Sequence, residues 1–198
     1  MIEIRPYELT DLPYLYEICW KTALNGNSVE GVIDDKYKVG HYFAAPYVYF
    51  DRDCCFVVTR DNIPAGYIVG TADTVGYTKW LNSEWLPKVR RLYDIPSESS
   101  EPFQQFINDC IKNDTLVDKS LSEYPGHLHI DLLPELQGKG LGRKLMEMFF
   151  NSCRRKGTEG VHLGVSKQNP GAVAFYRKMG MFVISESEGA YMMGILLL

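Results

Sequence analysis

The 198-residue sequence predicts an α/β (α+β) fold, one domain spanning 1–198 in which a mixed sheet is covered by helices on both faces. Three observations carry this expectation. Strand-like and helix-like segments alternate through the second half of the chain. The first half holds a hairpin pattern, Cys54–Thr59 and Ile63–Thr71 around the turn Arg60-Asp61-Asn62. A glycine-rich turn, Gln137-Gly138-Lys139-Gly140-Leu141-Gly142, joins a strand to a helix.

Taken in order, Ile2–Arg5 alternates apolar and polar and predicts a short first strand. Thr10 is the expected cap of a first helix, with Pro13 in its first turn and Leu12, Leu15, Ile18 and Cys19 on one face through Leu24. Asn25-Gly26-Asn27-Ser28 ends it, and Asp34–Tyr42 is the next helical candidate. In the second arm of the hairpin, Gly66 and Gly70 mark a bulge or a close backbone approach. Val75–Pro125 reads as a helical insertion of two pieces joined by a turn, the second amphipathic from Phe103 to Ile111. Then come a strand at Leu128–Leu133, a helix at Gly142–Lys156 ended by Gly157, and a strand at Val161–Val165. A helix at Ala172–Met179 ended by Gly180 follows, with two closing strands, Met181–Ser185 and Tyr191–Leu197. The apolar tail Ile195–Leu198 reads as buried strand and is a candidate for pairing across a homodimer, the alternative being a monomer.

The net charge of −4 argues against a nucleic-acid partner, since duplex binding usually needs a basic face. No apolar run approaches the ~20 residues of a membrane span, and Met1–Arg5 lacks a basic segment leading into an apolar one. A cytoplasmic location without membrane contact is the expectation. The cysteines, Cys19, Cys54, Cys55, Cys110 and Cys153, are odd in number and form no C-x-x-C pair, so buried reduced thiols are expected.

The glycine turn carries the chemistry. Without Cβ atoms its backbone N–H groups can close on an anion, and they stand at a helix N-terminus, where the macrodipole is positive. A pyrophosphate suits such a turn, with Lys139 and Arg143 adding charge at its rim. It is neither a Walker loop, lacking Gly-Lys-Ser/Thr, nor the G-x-G-x-x-G dinucleotide fingerprint.

Gln137-x-x-Gly140-x-Gly142 resembles the Arg/Gln-x-x-Gly-x-Gly/Ala motif of the GCN5-related N-acetyltransferase (GNAT) superfamily. A second stretch, Asn169-Pro170-Gly171-Ala172-Val173-Ala174-Phe175-Tyr176-Arg177-Lys178-Met179-Gly180-Met181, is similar to the family's N-x-x-A-x-x-x-Y-x-K-x-G-F, with Met181 in place of the usual Phe. The run from His127 through Arg143, and the insertion before it, also look like the acetyltransferase-like domain of O-GlcNAc hydrolases and its stand-alone bacterial relatives. The resemblance implies a mostly antiparallel sheet with the insertion before its fourth strand, and acetyl-CoA as co-substrate. It implies that Gln137, Gly138, Lys139, Gly140, Leu141, Gly142 and Arg143 wrap the pyrophosphate. Leu132 and Leu133 would meet the pantetheine arm, Asn169 and Ala172 would flank it, and Tyr176 would lie near the thioester sulfur.

The activity so implied is acetyl transfer to an amine of a small molecule or peptide. Tyr176 is the candidate acid for the leaving thiolate, and the backbone N–H of Leu132 or Leu133 the candidate for polarising the carbonyl. His127, His129 and Asp131 share one strand face, so Asp131 and His129 are candidates for taking the amine proton. The same three residues are equally readable as a satisfied polar face, with His129 paired to Asp131. Tyr77, Trp80, Trp85 and Tyr93 either line an acceptor pocket or anchor the insertion, and Asp73 is a further acceptor-side candidate. A module that binds acetyl-CoA or a protein partner without turnover is the competing function.

Overall fold

The computed structural model describes residues 1–197, so Leu198 of the expected C-terminal strand lies outside the described residues. Seven strands form one sheet: β1 (Ile2–Pro6), β2 (Phe56–Arg60), β3 (Ile63–Thr71), β4 (Gly126–Leu132), β5 (Gly160–Ser166), β6 (Phe182–Glu186) and β7 (Ala190–Leu196). They lie in the order β1-β2-β3-β4-β5-β7-β6, and every neighbouring pair is antiparallel except β4–β5. Because β7 sits between β5 and β6, both its edges are filled. Pairing of that strand across a dimer is therefore closed off, and the sheet's free edges are β1 and β6.

The first helix, α1 (Leu12–Thr22), buries Leu15, Ile18, Cys19 and Thr22 at helical spacing. Its start differs from expectation. Thr10 is exposed in a 3-10 turn, Leu9–Asp11, and Asp11 organises the entry instead. The Asp11 carboxylate accepts from the Glu8 N–H at 2.8 Å and from both arms of Arg5 at 2.7 Å. Three donors, two of them charged, hold it more firmly than one neutral bond would hold the Thr10 hydroxyl.

The helix expected at Asp34–Tyr42 forms as α2 (Lys38–Phe43), and a further helix, α3 (Ala45–Phe50), follows at once. The two break at Ala44, because Pro46 has no N–H and its ring would strike the carbonyl one turn back. Cys54 lies in a 3-10 turn before β2 rather than in the strand, yet Cys54 and Cys55 still enter opposite cores. In the hairpin, the register shifts between Val58 and Thr59, opposite Gly66 and Pro64. At Gly70 an added Cβ would meet the His127 carbonyl oxygen at 2.4 Å, so the close approach is real.

The insertion is one bent rod, α4 (Thr74–Trp80), a π-helical turn (Leu81–Trp85) and α5 (Leu86–Arg90), then α6 (Pro102–Lys112). Its aromatics are anchors. Tyr77 stacks on Tyr47 at 4.5 Å, Trp80 packs on Phe50, the Trp85 indole donates to the His41 carbonyl at 2.7 Å, and Tyr93 donates to Asp35 at 3.2 Å. Asp73 caps α4 by accepting from the Gly76 N–H at 2.9 Å through one carboxylate oxygen.

Two cores follow from strand alternation. On one face, α7 (Leu141–Arg155) and α8 (Pro170–Lys178) cover Phe56, Val58, Ile68 and Leu128, with Leu145, Met146 and Phe149 at the contact. On the other, α1 to α6 cover Val57, Tyr67 and Val69. Asp51, buried at the end of α3, accepts from the Ala72 N–H at 3.0 Å, the Thr71 hydroxyl at 3.2 Å and Lys156, fastening the end of α7 to the sheet.

Candidate active site

The parallel pair β4–β5 is bonded only at Gly126↔Val161 and His127↔His162. Beyond His127 the strands part, and the C-terminal half of β4 faces a gap. In an antiparallel ladder, paired residues alternate between bonding each other and pointing away. Leu133 donates to the Ala65 carbonyl at 3.0 Å, so Leu133 bonds toward β3 while Leu132, opposite Gly66, turns its N–H toward the gap. Of the two candidates for polarising a carbonyl, Leu133 has its N–H committed and Leu132 does not.

The glycine turn stands at the mouth of this gap. Gly138 and Gly140 have φ of 70° and 74°, the left-handed region that favours glycine. A Cβ on either would meet no atom within 4 Å, so the space above the turn is open. The backbone N–H groups from Gly138 through Arg143 have no acceptor among the described residues, and no side chain caps α7. This row of aligned donors is a cradle for an anion of pyrophosphate size. Lys139 and Arg143 are exposed beside it and make no ion pair with the described residues. Gln137 does something else: its Nε2 donates to the Leu132 carbonyl at 2.9 Å, fixing the loop to the end of β4. Leu141 is buried, and Gly142 lets the Phe175 ring come close, since a Cβ there would lie 3.1 Å from it.

Across the gap, Asn169 caps α8 by accepting from the Ala172 N–H at 3.0 Å. Ala172 thus spends its donor on the helix, while the Asn169 amide N–H groups stay available. Tyr176 is 9% exposed and has no hydrogen-bond partner among the described residues. Burial, with the Asp131 charge second, pushes its hydroxyl above the ordinary tyrosine range, so it stays protonated.

His127, His129 and Asp131 do share the opposite face of β4, toward α1 and α3. His129 and Asp131 do not pair with each other. Asp131 accepts from the Tyr67 hydroxyl at 2.6 Å, and His129 bonds the Tyr47 hydroxyl at 3.1 Å. His127 lies between Tyr47 at 2.9 Å and Thr74 at 2.7 Å. Burial raises the Asp131 carboxyl and lowers His129 to about 4, with the His162 charge adding to the second effect. Tyr67, Tyr47 and Thr74 were not singled out by sequence. Tyr67 stands directly opposite Asp131 in the β3–β4 register, a pairing hidden by the insertion between those strands, and Tyr47 belongs to the unforeseen α3.

With this geometry, the family model "Acetyltransferase (GNAT) family" matches residues 12–181. The chain belongs to the GNAT family of acetyltransferases. A crystal structure named SsHAT is 32% identical with a TM-score of 0.93, over 100% of this chain and 98% of that one. Protein O-GlcNAcase of Rattus norvegicus is 25% identical over 94% of this chain, which spans 20% of that protein's length. The PaiA N-acetyltransferase of Thermoplasma acidophilum, solved in complex with coenzyme A, has a TM-score of 0.60 at 16% identity, covering 99% of each chain, and shows the fold alone. Among the described residues, no helix is long and apolar enough to cross a membrane.

Proposed function

We propose that the chain is an acetyl-CoA-dependent N-acetyltransferase acting on an amine of a small molecule or peptide. The observation that carries this is the unpaired row of N–H groups from Gly138 to Arg143 at the mouth of the β4–β5 gap, with the Tyr176 hydroxyl unpartnered across it. The donor row takes the pyrophosphate, Asn169 takes the pantetheine amide, and the thioester lies between Leu132 and Tyr176. Asp131 binds the acceptor as an ammonium and takes its proton, one carboxylate oxygen being held by Tyr67. The amine nitrogen bonds to the thioester carbon, the Leu132 N–H meets the developing oxyanion, and the carbon–sulfur bond breaks. Tyr176 gives its proton to the leaving thiolate and is restored by the second proton that the nitrogen sheds on becoming an amide, while neutral His129 passes the first, from Asp131, outward through water.

The test is thiol release from acetyl-CoA over a panel of primary amines. Wild type should release coenzyme A with at least one amine, and Tyr176→Phe should lower kcat by about 10²-fold or more, the usual scale for a proton-transfer group. No amine-dependent release across the panel would overturn the reading. Thermal stabilisation by acetyl-CoA without release would leave a binding module in its place.

A further inference from the structure

The hydrogen bonds around His129 lead back to a group that has no proton to give. The Pro125 carbonyl oxygen receives the Thr74 N–H at 2.8 Å and lies 2.7 Å from the Thr74 hydroxyl. A carbonyl only accepts, so the Thr74 hydroxyl donates to it. The Thr74 oxygen is also 2.7 Å from His127 Nδ1, and with its single proton already committed it accepts there, so Nδ1 carries hydrogen. A neutral imidazole has one N–H, which leaves a lone pair on His127 Nε2. The Tyr47 hydroxyl, 2.9 Å away, donates to that lone pair. Tyr47 then has only its oxygen left for His129 Nε2 at 3.1 Å, so that nitrogen must carry hydrogen.

We propose that Thr74, His127 and Tyr47 are positioning residues that lock His129 into its Nε2–H tautomer and leave Nδ1 as the one basic nitrogen on the acceptor side of the gap. His129 Nδ1 has no hydrogen-bond partner among the described residues, and it is not among the fully enclosed unpartnered atoms, so it keeps some accessible surface. The chain of donors requires His127 to be neutral, and its surroundings keep it so. It faces Tyr47 on α3, Thr74 and Tyr77 on α4, His162 on β5 and His129 on its own strand, with no carboxylate bonded to it. Burial and the two neighbouring histidines hold its pKa well below the ordinary value. The use of Nδ1 as a proton carrier rests on the acetyl-transfer reading; the tautomer itself does not.

The experiment is a long-range proton–nitrogen correlation spectrum of the full chain, labelled with 15N at histidine, at pH 7.5. It distinguishes protonated from unprotonated ring nitrogens without any acceptor. Wild-type His129 is expected as a single species, protonated at Nε2. Tyr47→Phe and Thr74→Val should each convert it to a mixture of tautomers, while Thr74→Ser should keep the single species. A wild-type spectrum with His129 protonated at Nδ1, or already mixed, overturns the proposal. So does an unchanged His129 in Tyr47→Phe, which also decides the matter if Thr74→Val fails to fold. Thiol release separates the two ideas: an Nε2–H His129 in a protein without turnover sinks only the transfer reading, whereas turnover with an Nδ1–H His129 sinks only the relay.

Discussion

Asp131 and His129 stand two residues apart on β4, and the same burial drives their pKa values in opposite directions. Each shift favours the neutral form, upward for the carboxyl and downward, to about 4, for the imidazole. The site is thus poised to take up a proton, not to hold charge. Asp131 becomes a stronger base than an ordinary carboxylate, at the price of needing a higher pH to ionise. If it takes the amine proton, kcat/KM should rise with pH along an acid limb whose midpoint lies above the ordinary Asp value of about 3.9. His129 adds little to that limb above pH 5, being neutral there already. Asp131→Asn should lower kcat/KM by about 10²–10⁴-fold and abolish the limb, checked by a pH–rate profile of both proteins. A limb that survives the substitution would assign it to another group.

At the scale of the element, the turn into α7 combines two demands that one side chain can break. Gly140 needs a left-handed backbone, which costs about 1–2 kcal/mol for a residue bearing Cβ, and its neighbours must present bare N–H groups to an anion. Gly140→Asp adds strain and a negative charge at the same point, while Gly140→Ala adds strain alone. The thermal shift with acetyl-CoA should vanish in Gly140→Asp and survive, reduced, in Gly140→Ala. Full binding by the Asp variant would displace the pyrophosphate from this turn. This element was legible in the sequence because its signals are local: glycines, a helix start, an apolar stripe at Leu145, Met146 and Phe149. The same holds for α8, whose cap and tyrosine lie within one short stretch. What stayed hidden was non-local. The commitment of Leu133 to Ala65 depends on strand register, the Thr10 cap lost to an ion pair with Arg5, and Tyr47 reached His127 and His129 from a helix that a proline had obscured.

At the scale of the whole molecule, three histidines meet where the sheet is covered on both faces, and acid should open it there. His127, His129 and His162 all have pKa values lowered by burial as the leading cause. An unfolded histidine takes a proton below about pH 6.5, while the folded one does so only near its depressed value, so stability is full above that pH and falls as the pH drops. For His129 the interval from 6.5 to about 4 is about 2.5 units, or roughly 3 kcal/mol at about 1.36 kcal/mol per unit. Asp131 has the opposite sign: its raised pKa contributes stability that is present at low pH and lost as pH rises through the folded value. It opposes the histidines with one group against three. A net stability of about 5–15 kcal/mol leaves little room for such a loss. Urea denaturation should therefore show nearly constant stability from pH 8 to pH 7 and a steep decline between pH 6.5 and pH 4.5. His129→Gln, whose amide can still donate to Tyr47, should shallow that decline by up to one proton's slope, about 1.4 kcal/mol per pH unit. Equal stability at pH 7.5 and pH 5 would mean that burial does not depress the pKa values of these histidines.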